Sequence, residues 1–161
     1  MEQMVNAGHD SKPLEIVQIG IVVRDLEKTI RQLTSLWNVG PFRFLEVDLP
    51  DAIFHGKETH LRAKLAFAQV GPVELELIQP GEGENTYQEF LRAKGEGIHH
   101  LKIPVPDIKS EVGRLKERGI EVLQSGDNPD VSFAYMDTEG IIGVILEVLQ
   151  RKEDPASNKR C

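Results

Sequence analysis

The chain has 161 residues, 40% of them hydrophobic, which suits one compact domain or two small halves that share a core. Its formal net charge of −7 argues against nucleic acids and anionic membrane surfaces as partners, because both are bound through clusters of Lys and Arg. The single cysteine, Cys161, excludes an internal disulfide and a cysteine-based zinc site, and it fits a cytoplasmic location.

The first half of the chain is predicted to contain four strands and one helix. Residues 1–15 lack the apolar core of a signal peptide and are interpreted as a flexible tail. Asp25 is a good N-cap, and the apolar spacing after it predicts a helix that ends before Gly40 and Pro41. The predicted elements are strand 16–23, helix 26–37, strand 42–48, an irregular loop over 49–60, and strands 62–70 and 73–79.

The second half repeats this order after a linker, residues 81–97, that holds a short helix and a glycine turn. Asp107 is the predicted N-cap of the next helix, which Gly119 ends. The predicted strands are 98–105, 121–125, 131–137 and 143–150, and residues 151–161 are interpreted as a polar tail.

An internal repeat is the most informative feature of the sequence. QIGIVVRDLEKTIRQL aligns with HLKIPVPDIKSEVGRL, so that Gln18 pairs with His100. VELELIQ aligns with VILEVLQ, so that Glu76 pairs with Glu147. The repeat predicts an α+β fold of two βαβββ modules, residues 16–80 and 98–150, related by internal pseudo-symmetry. Together the modules form a curled mixed sheet around a central cavity.

Each module carries one polar residue on its first strand and one carboxylate on its last. A carboxylate in the middle of an apolar strand is costly to bury unless it is paired or bound to a metal. The predicted metal ligands are therefore Gln18, Glu76, His100 and Glu147. This oxygen-rich set suits one divalent ion, either Co²⁺, Mn²⁺, Ni²⁺, Zn²⁺, Fe²⁺ or Mg²⁺.

Each of these residues also has an ordinary structural interpretation. Glu74 and Glu76 alternate with apolar residues and are compatible with a solvent-facing sheet, and most strand histidines are structural or exposed. The repeat-equivalent placement of the four residues is what favours a shared site.

The motifs resemble the vicinal oxygen chelate superfamily, which includes glyoxalase I, bleomycin-resistance proteins, extradiol dioxygenases and methylmalonyl-CoA epimerase. The similarity covers residues 16–150 and is strongest to the epimerase-like branch. It is carried by the segments IGIVVRDLEKTI, VELELIQP, FLRAKGEGIHHLKIPVPDI and GVILEVLQ.

The resemblance implies a metal site and a homodimer. It places His100, Glu147 and Glu76 on the family's ligand positions, whereas Gln18 stands where most relatives have a histidine. Lys64 stands near the position at which epimerases can carry a carboxylate base, which departs from a two-carboxylate epimerisation.

The first functional hypothesis is therefore a metal-dependent isomerase or lyase of the glyoxalase or methylmalonyl-CoA epimerase type. A bound metal would polarise the carbonyl of a small-molecule substrate and stabilise its enolate, with Glu147 or Glu76 as the proton acceptor. Lys64, Arg62 and Lys102 are the candidates for holding an anionic group of that substrate, and Tyr135 for lining its pocket.

Two alternatives remain open at this point. The first is a resistance-type protein that binds a ligand without catalysis, which the missing histidine at Gln18 favours. The second is an Fe²⁺-dependent ring-cleaving dioxygenase, which requires two histidines and one carboxylate. Strand alternation opposes an inward-facing His99 and so disfavours this dioxygenase.

Overall fold

The computed structural model describes residues 14–152 of the chain, and most of the predicted tails 1–15 and 151–161 lies outside this range. None of the helices in this range has the length and apolar character needed to cross a bilayer. The described elements are β1 (Gln18–Val22), α1 (Leu26–Trp37), β2 (Arg43–Phe54), β3 (Lys57–Val70), β4 (Val73–Pro80), α2 (Thr86–Lys94), β5 (Gly97–Pro104), α3 (Ile108–Lys116), β6 (Val122–Asp127), β7 (Val131–Met136), α4 (Glu139–Ile142) and β8 (Ile145–Arg151).

The eight described strands form one closed sheet in the order β1-β4-β3-β2-β6-β7-β8-β5. Each half contributes the same four-strand order, and the first strand of each half pairs in parallel with its last, β1 with β4 and β5 with β8. The halves join through the antiparallel β1–β5 pair on one side and the β2–β6 pair on the other. The predicted α+β fold with a curled mixed sheet is confirmed.

The internal repeat extends to the hydrogen bonds at the helix N-termini. Asp25 and Asp107 each cap their helix by accepting from the backbone N–H three residues later. The amide oxygens of Gln79 and Gln150, each three residues after a predicted carboxylate ligand, accept from the first N–H of α1 and α3 at 2.8 and 3.0 Å. These matched contacts tie each helix to the last strand of its own half.

The predicted loop over residues 49–60 is wrong, because this segment forms a long β-hairpin. β2 continues to Phe54, and β3 begins at Lys57 after a turn in which His55 and Gly56 have φ angles of 47° and 75°. The alternation of side chains is broken between Leu49 and Ala52, where the β2–β3 register shifts. The extended hairpin carries Phe54 to β6 and closes the sheet there.

The hydrophobic core has an interior part and two outer parts under the helices. Alternate residues of β3 face the interior, and helix α2 covers one end of the barrel with Tyr87, Phe90 and Leu91. Helices α1 and α3 cover apolar residues on the outer face of the sheet. The interior residues of β3 are Leu61, Ala63, Leu65 and Phe67.

Candidate metal centre

Four neighbouring strands, in the sheet order β4-β1-β5-β8, bring the predicted ligands to one point inside the barrel. We call Gln18, Glu76, His100 and Glu147 the four-residue cluster. No member of the cluster is more than 4% exposed. Because side chains on a strand alternate between faces, one polar residue per strand faces inward while its apolar neighbours pack outward.

The imidazole of His100 lies at the centre of the four-residue cluster. Its Nε2 atom lies 3.2 Å from an Oε2 atom of Glu76 and 3.2 Å from an Oε2 atom of Glu147. The amide oxygen of Gln18 lies 3.5 Å from the same nitrogen. The cluster is thus compact enough for one cation to contact all four side chains.

The residues present fit a divalent metal ion. The three ligand atoms of Glu76, His100 and Glu147 lie within 4.8 Å of one another. The Oε2 atoms of both carboxylates are buried and make no hydrogen bond within the described residues, although both lie in ion-pair distance of His100 and that of Glu147 also of Lys102. A cation is the partner that such buried carboxylate oxygens favour. Atoms that share an ion at roughly 2.1 Å lie about 3.0–3.4 Å apart, which matches the separations around His100.

Gly20 makes room for the imidazole ring of His100. A Cβ atom at this position would lie 2.1 Å from Cε1 and 2.4 Å from Nδ1 of that ring. Gly20 and His100 are directly opposite each other in the β1–β5 pair, so the ring lies over the glycine backbone. A lone glycine in an apolar strand was the available sequence signal for this close approach.

Glu74 fixes the orientation of the Gln18 amide. Its Oε1 atom accepts a hydrogen bond of 2.6 Å from Nε2 of Gln18, which directs the Gln18 oxygen towards His100. Glu74 is itself 3.7 Å from the guanidinium of Arg43, which stacks on the ring of Phe67. Glu74 is therefore a supporting residue of the cluster, in contrast to the solvent-facing interpretation of its alternating pattern.

Lys102 places a positively charged ammonium group beside Glu147. Its Nζ atom lies 3.3 Å from Oε2 of Glu147. Burial lowers the pKa of Lys102, but the charges of Glu147 and Glu76 outweigh this effect and raise the pKa above its ordinary value. Burial likewise raises the pKa of Glu147, yet Lys102 and His100 hold it below the usual range.

His100 is protonated at neutral pH in the absence of a metal. Burial alone lowers the pKa of His100, but the charges of Glu147 and Glu76 reverse this and raise it to about 9. A metal that binds Nε2 must displace the proton on this nitrogen.

His99 also faces the interior, against the expectation from strand alternation. The register of the β1–β5 pair jumps from Gly20–His100 to Ile21–Ile98, so His99 occupies a β-bulge. Its ring packs 5.1 Å from the ring of Tyr135, and its Nδ1 atom lies 3.0 Å from Nδ1 of His100. A sequence pattern does not reveal a bulge, so His99 could not be placed from alternation alone.

The remaining predicted substrate-binding residues are not all at the site. Arg62 and Lys64 alternate with the interior residues of β3 and lie on the outer face of the sheet. Arg62 pairs there with Asp48 at 3.7 Å, and Lys64 lines a separate groove of about 630 Å³ beside the start of α1. Arg62 and Lys64 thus lie on a different face of the sheet from the metal ligands, and their role in holding a substrate anion stays a prediction.

Tyr135 lies inside the barrel, next to the four-residue cluster. Its ring centroid is 5.0 Å from that of His100, and its hydroxyl pairs with the Tyr87 hydroxyl at 2.6 Å. Burial, together with Glu147, raises the pKa of the Tyr135 hydroxyl far above its usual value, so this group stays protonated. In this structure Tyr135 packs against the imidazole of His100.

Comparison with known families gives one clear match. Residues 17–135 match the Glyoxalase/Bleomycin resistance protein/Dioxygenase superfamily. Two curated relatives are each 27% identical to this chain. The alignment to the uncharacterised protein YqjC of Bacillus subtilis covers 58% of this chain and 69% of that protein. The alignment to a 4-hydroxyphenylpyruvate dioxygenase of Pseudomonas aeruginosa covers 52% of this chain but only 23% of the dioxygenase.

Solved structures with the same fold include methylmalonyl-CoA epimerases. A hypothetical protein of Bacillus halodurans C-125 has a TM-score of 0.66 at 25% identity, covering 89% of this chain and 98% of that chain. A Streptomyces coelicolor epimerase variant in complex with 2-nitronate-propionyl-CoA has a TM-score of 0.66 at 19% identity, with coverages of 87% and 97%. The epimerase of Mycobacterium tuberculosis has a TM-score of 0.65 at 18% identity, with coverages of 88% and 91%.

Proposed function

Since the chain belongs to the glyoxalase, bleomycin resistance protein and dioxygenase superfamily, we propose that it is a metal-dependent isomerase or lyase of the glyoxalase or epimerase type. The observation that carries this proposal is the four-residue cluster, in which two buried carboxylate oxygens without hydrogen-bond partners converge on the imidazole of His100. Such a set of buried, converging ligand atoms is typical of a metal site.

In this proposal Gln18, Glu76, His100 and Glu147 hold one divalent ion, either Co²⁺, Mn²⁺, Ni²⁺, Zn²⁺, Fe²⁺ or Mg²⁺. When bound, the metal would supply Lewis-acid polarisation of a substrate carbonyl, which acidifies the adjacent C–H and stabilises the enolate. Two carboxylates and one amide oxygen make a hard ligand set that suits oxygen-rich coordination.

Proton transfer is assigned to the carboxylates, with Glu76 preferred over Glu147. An oxygen of Glu147 lies 3.3 Å from the ammonium of Lys102, which reduces its readiness to accept a proton. Glu76 has no lysine at this distance among the described ion pairs of residues 14–152. In the E76Q variant an amide oxygen remains available to the metal, whereas the proton acceptor is lost.

Lys102 is the preferred anchor for an anionic group of the substrate. It lies on the same strand as His100, two residues further along, so its side chain points to the same face of the sheet. Arg43 is a second cation connected to the cluster, paired with Glu74 at 3.7 Å and 64% exposed. Acyl-CoA thioesters are the first substrates to test, because epimerases of this fold are solved in complex with 2-nitronate-propionyl-CoA.

Solvent exchange tests the proposal directly. The purified protein is stripped with EDTA, reloaded with each divalent ion, and incubated in D₂O with acyl-CoA thioesters and with thiol adducts of 2-oxo-aldehydes. We expect deuterium to appear at the carbon next to the carbonyl only in the metal-loaded samples. E76Q should still bind the metal, more weakly because a charged ligand becomes a neutral amide, and should lose exchange. Lack of exchange with every metal and substrate would contradict the proposal.

A second function, ligand binding without catalysis, is favoured by one observation. Protonated His100 and Lys102 together balance the two buried carboxylates, so the cluster is electrically compensated without a metal. Thermal unfolding separates the two functions. An enzyme of the proposed kind should gain melting temperature on addition of a divalent ion, whereas a metal-independent binding protein should not.

The geometry disfavours the dioxygenase alternative. His99 is the only other histidine near the cluster among the described residues, and both of its ring nitrogens contact other groups, Thr86 and His100. Only one imidazole is therefore free to bind the metal, whereas an iron site of this type uses two. The homodimer implied by the family resemblance stays a prediction, which analytical ultracentrifugation would test.

A further inference from the structure

A buried chain of hydrogen bonds runs from the four-residue cluster into the body of the protein. Nδ1 of His100 lies 3.0 Å from Nδ1 of His99, and Nε2 of His99 lies 3.1 Å from the hydroxyl of Thr86. The backbone N–H of Thr86 donates to the amide oxygen of Gln124 at 2.9 Å. All four side chains are at most 1% exposed, so bulk water does not complete these contacts.

The positions of the protons in this chain follow from the chemistry of imidazole. A histidine that offers Nε2 to a cation carries its proton on Nδ1. The Nδ1–H of His100 must then donate to Nδ1 of His99, because no hydrogen bond forms between two unprotonated nitrogens. His99 in turn carries its own proton on Nε2 and donates it to the hydroxyl of Thr86.

We propose that His99 is a positioning residue that holds the Nδ1–H tautomer and the ring orientation of His100, so that the Nε2 lone pair of His100 faces the carboxylates. The inference rests on the metal site of the proposed function. Groups that accept a hydrogen bond from a metal-binding histidine commonly fix its tautomer and raise its basicity. Here the acceptor is a second imidazole, adjacent in sequence.

The β-bulge at His99 is the structural feature that makes this contact possible. In a regular strand His99 and His100 would point to opposite faces of the sheet, and their rings would not meet. The register shift beside Gly20 places both rings inside the barrel. The rings of Tyr87, Phe90 and Tyr135 then surround His99 at centroid distances of 5.1–5.3 Å, which prevents the ring from turning away.

A matched pair of substitutions tests the role of the acceptor. His99→Asn keeps an oxygen close to the position of Nδ1, and His99→Phe keeps the ring volume but removes the acceptor. Titration calorimetry with Co²⁺ and Zn²⁺ should show that H99F weakens metal binding by about 10–100-fold, whereas H99N stays within about threefold of the wild type. Thr86→Val, one contact farther away, should have an effect between these two.

The visible absorption of bound Co²⁺ gives an independent readout, because it reports the geometry of the ligands and not only the stability of the fold. H99F should change the spectrum and H99N should restore it. Equal Co²⁺ affinities and spectra for wild type, H99N and H99F would overturn the inference.

Nitrogen-15 NMR of the wild-type protein decides the proton positions without any substitution. In the Zn²⁺-loaded protein, long-range proton–nitrogen spectra should show His100 protonated at Nδ1 and His99 protonated at Nε2. A proton on Nδ1 of His99 would overturn the inference. If the wild type binds no divalent ion, the proposed function fails, but the same spectrum of the metal-free protein still locates the His99 proton.

Discussion

The two halves of the barrel share one backbone fold, but they place different side chains at equivalent positions in the interior. Across the β1–β5 pair, Gln18 stands opposite Lys102, and His100 stands opposite Gly20. The two pairs are related by the internal pseudo-symmetry, so the second half carries an imidazole and a lysine where the first half carries an amide and a glycine. The repeated backbone therefore determines the positions of the metal ligands, whereas the residue type at each position differs between the halves.

The support behind the two ligands differs as well. Gln18 is oriented by Glu74, which is 35% exposed and pairs with an exposed Arg43. His100 is supported by His99 and by Thr86, the first residue of helix α2, and both side chains are buried. The support behind His100 is therefore fully buried, whereas the support behind Gln18 is partly exposed to solvent.

The largest expected effect comes from comparing the two carboxylates. Glu147 contacts both His100 and Lys102, whereas Glu76 contacts His100. In the metal-free protein E147Q should lower the free energy of unfolding by roughly 3–5 kcal/mol, because it leaves two buried cations poorly compensated. E76Q should cost about 1–3 kcal/mol, since Glu147 remains as a partner of the imidazole.

Urea unfolding in EDTA measures both variants under the same conditions. The double variant E147Q/K102M removes one of the uncompensated cations and should recover part of the loss. Equal destabilisation by E147Q and E76Q would mean that Lys102 contributes nothing to the balance of charge in the interior.

A smaller effect is expected from filling the space between Gly20 and His100. Gly20→Ala should displace the imidazole, because the added methyl group would lie within 2.1 Å of the ring. Overpacking of this kind costs about 1–3 kcal/mol of stability, and the displaced ring should also bind metal more weakly. Calorimetric metal titration and urea unfolding measure the two consequences.

Gly113 provides the matched control, because a Cβ atom there meets no other atom within 4 Å. It lies inside helix α3, where alanine is favoured over glycine by about 0.5–1 kcal/mol. G113A should therefore stabilise the protein and leave metal affinity unchanged. If G20A behaved like G113A, the close contact with His100 would not constrain the site.

Much of this arrangement was predictable from the sequence because periodicity and repeats are local signals. The alternation around Glu76 and Glu147, together with the pairing of Gln18 with His100, was sufficient to bring the four-residue cluster together. The position of His99 was not predictable, because a bulge depends on the register between two distant strands. The face of β3 that carries Lys64 was not predictable for a related reason, since a run of mixed residues does not reveal which face of a strand is buried.

The smallest expected effect tests whether the two halves are also equivalent in energy. Gln79 and Gln150 occupy repeat-equivalent positions, and each accepts a hydrogen bond from the first N–H of the helix in its own half. Gln79→Ala and Gln150→Ala should each cost about 0.5–1.5 kcal/mol, since one backbone N–H loses its partner in each variant. The two losses should add in the double variant, because the contacts share no residue. Amide hydrogen exchange at Leu26 and Ile108 reports each loss locally. A large loss of stability in only one of the two variants would contradict this expectation. It would show that the same hydrogen bond stabilises one half of the barrel more than the other.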